Sequence, residues 1–132
     1  MQIPVHLTDL QLAIVRLLWD RGECTVVDVQ EGLMPDRSLA QTTVATLLTR
    51  LEKRGVVSHR TVGRQFIYKA EVTEPVVRHS MVGELTNSLF QGRATALISH
   101  LLVEREIDRE ELGEVKRLIA LAEERSYLQV AS

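Results

Sequence analysis

Thr42-Thr43-Val44-Ala45-Thr46-Leu47-Leu48-Thr49-Arg50-Leu51-Glu52-Lys53-Arg54-Gly55 is the stretch whose reading decides the fold. Wound at about 3.6 residues per turn, it places Val44, Leu47, Leu48 and Leu51 on one face. Thr42, Thr46, Thr49 and Lys53 take the opposite face, Arg50 stands at its margin, and Gly55 is a stop signal. A solvated helix face usually mixes Glu, Lys and Gln. Here short hydroxyls give way to bases, and Glu52 is the one acid. Short hydroxyl side chains let a helix sit close in a DNA groove and bond base edges or phosphates, while Arg and Lys neutralise backbone charge. A Thr-rich amphipathic helix with no partner would use the same residues, so the flanking sequence has to decide.

The segment that follows, Val56 to Ala70, has two β-rich runs around a turn holding Gly63, the pattern of a hairpin. Arg60, Arg64 and Lys69 lie along it, and it contains no acid. A helix closed by glycine and followed at once by a basic hairpin is the order of a winged helix-turn-helix. In that arrangement the helix enters the major groove and the wing reaches a phosphate or the adjacent groove.

Two helices are expected ahead of a recognition helix. Thr8-x-x-Gln11 is a capping-box pattern with Leu7 and Leu12 placed for a hydrophobic staple, and it opens a helix running to about Asp20 before Arg21-Gly22. That helix is apolar on most of its circumference, which predicts cover on more than one side. Thr25 is placed to cap a second helix with Val26, Val29 and Leu33 inward, ending before Met34-Pro35 because a residue preceding proline avoids α geometry.

From about Thr73 the chain reads as three further helices. Glu74-Pro75 suits a first turn, after which Val77, Met81, Leu85 and Leu89 recur every four residues up to Phe90, and Gln91-Gly92 breaks the run. A helix from about Arg93 carries Leu97, Ile98, Leu101 and Leu102. Another, from Asp108, carries Leu112, Val115, Ile119 and Ala122. So short a segment is marginal as a domain, and its apolar faces outnumber what one thin layer can cover. A second copy would cover them, a two-fold dimer being the commonest solution, with Val77, Met81, Leu85, Leu97, Leu101, Leu112, Val115 and Ile119 as expected interface residues. Packing back onto the winged part of the same chain is the alternative.

The string Thr43-Val44-x-x-Leu47-Leu48-x-Arg50-Leu51-x-Lys53-x-Gly55, preceded by Leu17-Leu18-Trp19 and followed by Gly63-Arg64-x-Phe66-x-Tyr68, resembles the penicillinase repressor family. That family includes repressors of β-lactamase and methicillin-resistance genes and copper-responsive repressors, and the likeness extends over nearly the whole chain. It implies a homodimeric transcriptional repressor on a dyad operator, with Thr42, Thr43, Thr46 and Arg50 at the DNA and Arg64 as the basic contact of the wing. In the penicillinase branch, induction involves cleavage at an Asn-Phe bond, and the matching positions here are His100-Leu101. The copper-responsive branch carries C-terminal Cys-x-Cys pairs suited to Cu(I). This chain ends Tyr127-Leu128-Gln129-Val130-Ala131-Ser132, which speaks against direct copper sensing.

Composition narrows the classes further. The chain has 132 residues, 45% of them hydrophobic, and a formal charge of −2. That charge is unusual for a DNA binder, but its distribution is uneven. Arg50, Lys53, Arg54, Arg60, Arg64 and Lys69 face a single acid, Glu52, between positions 50 and 69, whereas residues 72–132 are net acidic. So small a basic footprint predicts salt-sensitive affinity that leans on dimerisation. No run is long enough to span a membrane, and Met1-Gln2-Ile3-Pro4 is unlike a signal peptide, so a cytoplasmic protein without membrane insertion is expected. Cys24 stands alone, which excludes an intrachain disulfide. No phosphate loop, nucleophile elbow or paired metal ligands occur. The run Glu104-Glu106-Asp108-Glu110-Glu111 reads as a solvated helix start, so no enzyme, cofactor or metal is expected.

The expected fold class is therefore mainly α with a small β-hairpin wing. Residues 1–71 form a winged helix-turn-helix that binds DNA through Thr42, Thr43, Thr46, Thr49, Arg50, Lys53, Arg60 and Arg64, and residues 72–132 form a three-helix dimerisation domain. The expected partners are a palindromic double-stranded operator, a second copy, and a membrane sensor protease or its effector that derepresses by proteolysis. Release by a small-molecule ligand, and use of the winged helix only for protein–protein contact, are the alternatives.

Overall fold

The computed structural model describes residues 5–131; Met1-Gln2-Ile3-Pro4, the stretch read as unlike a signal peptide, lies outside them. Six helices and a three-stranded sheet follow one another as α1 (Asp9–Arg21), β1 (Cys24–Thr25), α2 (Val26–Leu33), α3 (Gln41–Lys53), β2 (Val57–Val62), β3 (Gln65–Ala70), α4 (Glu74–Phe90), α5 (Ala94–Glu104) and α6 (Arg109–Ala131). The mainly helical class with a β-hairpin wing is what the sequence predicts. Among the described residues no helix is long and apolar enough to cross a membrane.

Local chemistry sets the boundaries. Thr8 and Thr25 each close a capping box, with Gln11 and with Asp28, and the staple residue Leu7 is buried. The Thr25 hydrogen bonds, chiefly that from its backbone N–H, hold the Asp28 carboxyl below the usual carboxylate range. Gly22 ends α1 at φ 88°. α3 ends in a Schellman motif: Gly55, at φ 77°, donates to the Glu52 carbonyl and Val56 to that of Leu51, conditions a glycine meets at least cost.

The sheet has the order β1-β3-β2 and is antiparallel throughout. β1 was not expected. Two residues are too few to show an alternating pattern, yet they pair Cys24 with Tyr68 and Thr25 with Ile67. Ile14, Val15 and Leu18 of α1, Val29 and Leu33 of α2, and Val44, Leu48 and Leu51 of α3 close over this sheet in one core with Cys24, Val57 and Tyr68. Burial pushes the Cys24 thiol up, as befits a small core residue. α1 is covered on several sides as expected; its Trp19 indole N–H donates to the Val72 carbonyl at 2.8 Å.

The chain separates into two compact units, residues 1–85 and 86–132, rather than at the expected 71/72. The first part of α4 belongs to the winged unit. Val77 is buried in its core and Met81 packs against it, Val5 donates its N–H to Ser80 Oγ at 2.7 Å, and His6 Nδ1 meets Glu84 at 3.0 Å. Val77 is therefore a core residue of the winged unit, a correction to its expected place in a dimer interface, and the half-buried Met81 packs against the same core. Their four-residue spacing marks an apolar stripe, but spacing does not say which surface covers it.

The second unit contrasts with the first. Among the described residues none beyond Val77 is buried. Gln91 and Gly92, both at positive φ, make the expected break after α4. Asp108 caps α6 by accepting the Glu111 N–H at 2.8 Å.

Candidate nucleic-acid interface

α3 lies with Val44, Leu48 and Leu51 in the core, and this burial decides what its other face shows. Thr42, Thr43, Thr46, Thr49, Arg50 and Lys53 are all exposed. The hydroxyls differ in what they have left to offer. Thr46 Oγ donates to the Thr42 carbonyl at 3.0 Å and Thr49 Oγ to that of Ala45 at 2.9 Å. In these rotamers both hydroxyl protons are committed, so neither can donate to a phosphate oxygen; Thr46 keeps a lone pair for a base amino group, whereas Thr49 also meets Tyr68. Thr42 and Thr43, in the first turn, sit where helix N–H groups and the positive end of the dipole favour an anion.

The wing is the β2–β3 hairpin, with Val62 paired to Gln65 across Gly63-Arg64. Gly63 takes φ 61° in that two-residue turn, as a primed hairpin turn requires. Side chains alternate across the sheet. His59, Phe66 and Tyr68 face the helices, and Arg60, Ile67 and Lys69 face away. Burial raises the Tyr68 phenol pKa, the Glu52 charge adds to the rise, and a hydrogen bond with Thr49 opposes it. A groove of about 310 Å³ runs between α3 and the wing, lined by Gln41, Ala45 and Thr49 on one side and by Arg64, Gln65 and Phe66 on the other. Gln41 and Gln65 were not singled out from the sequence. Neither carries charge or periodicity, and only the fold brings them to the groove.

The six bases between positions 50 and 69 divide into two sets. Arg54 donates to the His6 carbonyl at 2.6 Å and fastens the start of the described chain. Arg60 grips Glu23 with two bonds, 2.7 and 3.2 Å, across β3. That hydrogen bond holds the Glu23 carboxyl below its usual range and raises the Arg60 pKa in turn. Lys69 lies 3.7 Å from Glu71. Arg50, Lys53 and Arg64 have no ion-pair partner among the described residues. The acid on α3 is also occupied, since Glu52 lies 2.6 Å from His59 Nδ1. Arg60, expected at the DNA, thus reaches it only by releasing Glu23.

In the second unit, Leu97 and Val115 are half-buried, while Leu101, Leu112 and Ile119 are exposed, as is Leu85 at the end of the first unit. Leu89, Val103 and Leu118 stand 69%, 75% and 58% exposed. A groove of about 370 Å³ between α5 and α6 is lined by Ile98, Leu101, Leu102, Ile107 and Val115, with Arg105, Glu106 and Glu111 at its margin. The His100-Leu101 bond lies within α5, and the His100 ring packs against Phe90 at 5.7 Å. Among the described residues no cluster of His, Cys, Asp and Glu forms a metal site.

Comparison with known proteins gives a consistent result. The sequence model of the penicillinase repressor family matches residues 7–121. The penicillinase repressor of Bacillus licheniformis is 22% identical over 118 residues, covering 89% of this chain and 91% of that protein. A Mycobacterium tuberculosis protein named transcriptional regulator BlaI is 34% identical over 117 residues, covering 87% of this chain and 83% of that one. Among solved structures, that of the DNA-binding domain of the repressor BlaI superimposes with a TM-score of 0.49 at 26% identity, covering 56% of this chain and 90% of the domain.

Proposed function

The chain belongs to the penicillinase repressor family, and from that premise we propose that it represses transcription as a homodimer on a dyad operator. The observation that carries the DNA reading is the sorting of its bases. Among the described residues Arg50, Lys53 and Arg64 have no ion-pair partner around a groove-forming helix and wing, while the other three bases of the region are engaged. α3 would enter the major groove, with Thr46 and Thr49 meeting base edges, Thr42 and Thr43 meeting phosphate at its start, and Arg64 meeting the backbone beside it. Three such bases on the helix and wing give a shallow electrostatic footprint, so one half-site binds weakly and two engaged together bind well.

The second copy is supported by the many exposed large apolar side chains of α5 and α6, since apolar surface left in water marks an interaction site. Leu101, Leu112 and Ile119, with the half-buried Leu97 and Val115 and the exposed Leu85, would line the interface. Derepression by a protease fits the same arrangement. A protease needs an extended strand, and no side chain of α5 is fully buried within its own chain, so His100-Leu101 opens more easily than a core helix would unless a partner covers it. Cleavage there would remove α6 and leave the winged unit whole.

Selection from a random-sequence duplex library by the full chain, followed by a salt titration of the selected DNA, tests this reading. A dyad sequence and an affinity falling steeply with salt are expected. Recovery of no preferred sequence, with binding indifferent to salt, would overturn it.

A further inference from the structure

The wing extends beyond the rest of its sheet. β1 reaches only Ile67 and Tyr68 of β3, so from Phe66 to the turn the hairpin has two strands. Its residues from Thr61 to Phe66 are all exposed. A two-stranded ribbon without further cover is marginal in water, yet this one has to present Arg64 at a fixed distance from α3. Among the described residues a side-chain contact reaches it from the helix. Glu52 of α3 accepts from His59 Nδ1 at 2.6 Å, and the His59 ring stacks on Phe66 with centroids 4.0 Å apart and planes inclined by 16°. Phe66 lies two residues from Arg64. The contact is half-sheltered, with the His59 and Glu52 side chains 27% and 35% exposed, which favours a persistent hydrogen bond over a solvated one.

We propose that Glu52 is a positioning residue for DNA binding: acting through His59 and the Phe66 ring stacked on it, it fixes the wing and Arg64 relative to the recognition helix. This rests on the DNA-binding reading above. An acid on a helix that faces DNA repels phosphate, so charge alone says that removing Glu52 should tighten binding and steepen its salt dependence. Positioning says the opposite. Without Glu52 the ribbon swings, Arg64 no longer meets its phosphate, and affinity falls in spite of the more positive net charge. The sign of the effect separates the two.

Glu52→Ala should weaken binding of the library-selected duplex several-fold and lower the salt slope by about one unit, as loss of one phosphate contact does. Glu52→Gln, whose amide oxygen still accepts from Nδ1–H, should restore most of the loss. In an Arg64→Ala background, Glu52→Ala should cost nothing further, because the contact it positions is already gone. Amide hydrogen exchange of the free protein reads the same device without DNA: exchange at positions 61–66 should speed in Glu52→Ala while core amides of α1 and α3 stay protected. Tighter binding by Glu52→Ala, an undiminished penalty in the Arg64→Ala background, or unchanged exchange at 61–66 would each overturn the proposal. If the wild-type chain selected no duplex, the DNA reading would fail, and exchange alone would decide whether Glu52 holds the wing.

Discussion

The two units of this chain use similar proportions of apolar residues to opposite ends. Residues 5–85 turn theirs inward, with fifteen buried side chains from Val5 to Val77 in a single core. Residues 86–131 turn theirs outward, leaving Leu89, Ile98, Val103, Leu118 and Tyr127 among the exposed. An amphipathic helix is stable only where its apolar stripe is covered. The first unit supplies that cover from its own sheet, and the second requires another surface. On the proposed reading the difference separates the tasks: the first unit would meet DNA, and the second would pair with another copy.

Substitution by alanine should separate the units most sharply. Leu48→Ala, in the core under the recognition helix, should cost about 2–5 kcal/mol and lower the melting temperature of the winged unit, read by circular dichroism. Leu118→Ala, 58% exposed, should leave that transition in place and weaken self-association instead. Equal loss of melting temperature from both would erase the contrast.

Charging the second unit sharpens it further. Ile119→Asp should shift the chain toward monomer in sedimentation, because an unpaired carboxylate cannot be desolvated cheaply at an apolar interface. The hydrogen-exchange protection of α1 and α3 should not change.

Within the winged unit, the sorting of bases predicts unequal effects. Arg50→Ala and Arg64→Ala should each lower the salt slope of DNA binding by about one unit. Arg60→Ala should change it less, since Glu23 already holds that guanidinium. In a Glu23→Gln background Arg60 is freed, and its removal should then cost a full unit. The Glu23 carboxyl lies below its ordinary 4.5 when folded, so the ion pair is fully present above that value. It is lost only as pH falls through the lower, folded one.

The smallest expected effect lies at the start of α2. Thr25→Ala removes a capping box and should cost about 1 kcal/mol. The depressed Asp28 carboxyl contributes stability above its unfolded value near 3.8 and loses it as pH falls through the folded value. An Asp28→Asn protein should therefore show a flatter acid limb in a pH series of melting temperatures.

Much of this was legible in the residues. The capping pairs Thr8/Gln11 and Thr25/Asp28, the glycines at 22, 55 and 63, and the period of Val44, Leu48 and Leu51 mark boundaries and faces through local chemistry. What was not legible depends on contacts distant in sequence. β1 is defined by pairing with residues more than forty positions away, and Glu23 silences Arg60 across 37. Val77 and Met81 carry the same spacing as Leu85 but meet the winged core. Periodicity gives a stripe, and only packing says what lies against it.

The central claim is that one unit reads DNA and the other brings a second copy to it. Its most direct test is the mass of the complex between the full chain and its selected duplex in sedimentation velocity, beside a 1–99 truncation that lacks α6. The full chain should bind as two copies per duplex, and the truncation should stay monomeric and bind weakly while keeping its winged fold. One full-length copy per duplex, or a truncation that pairs and binds with undiminished affinity, would contradict it.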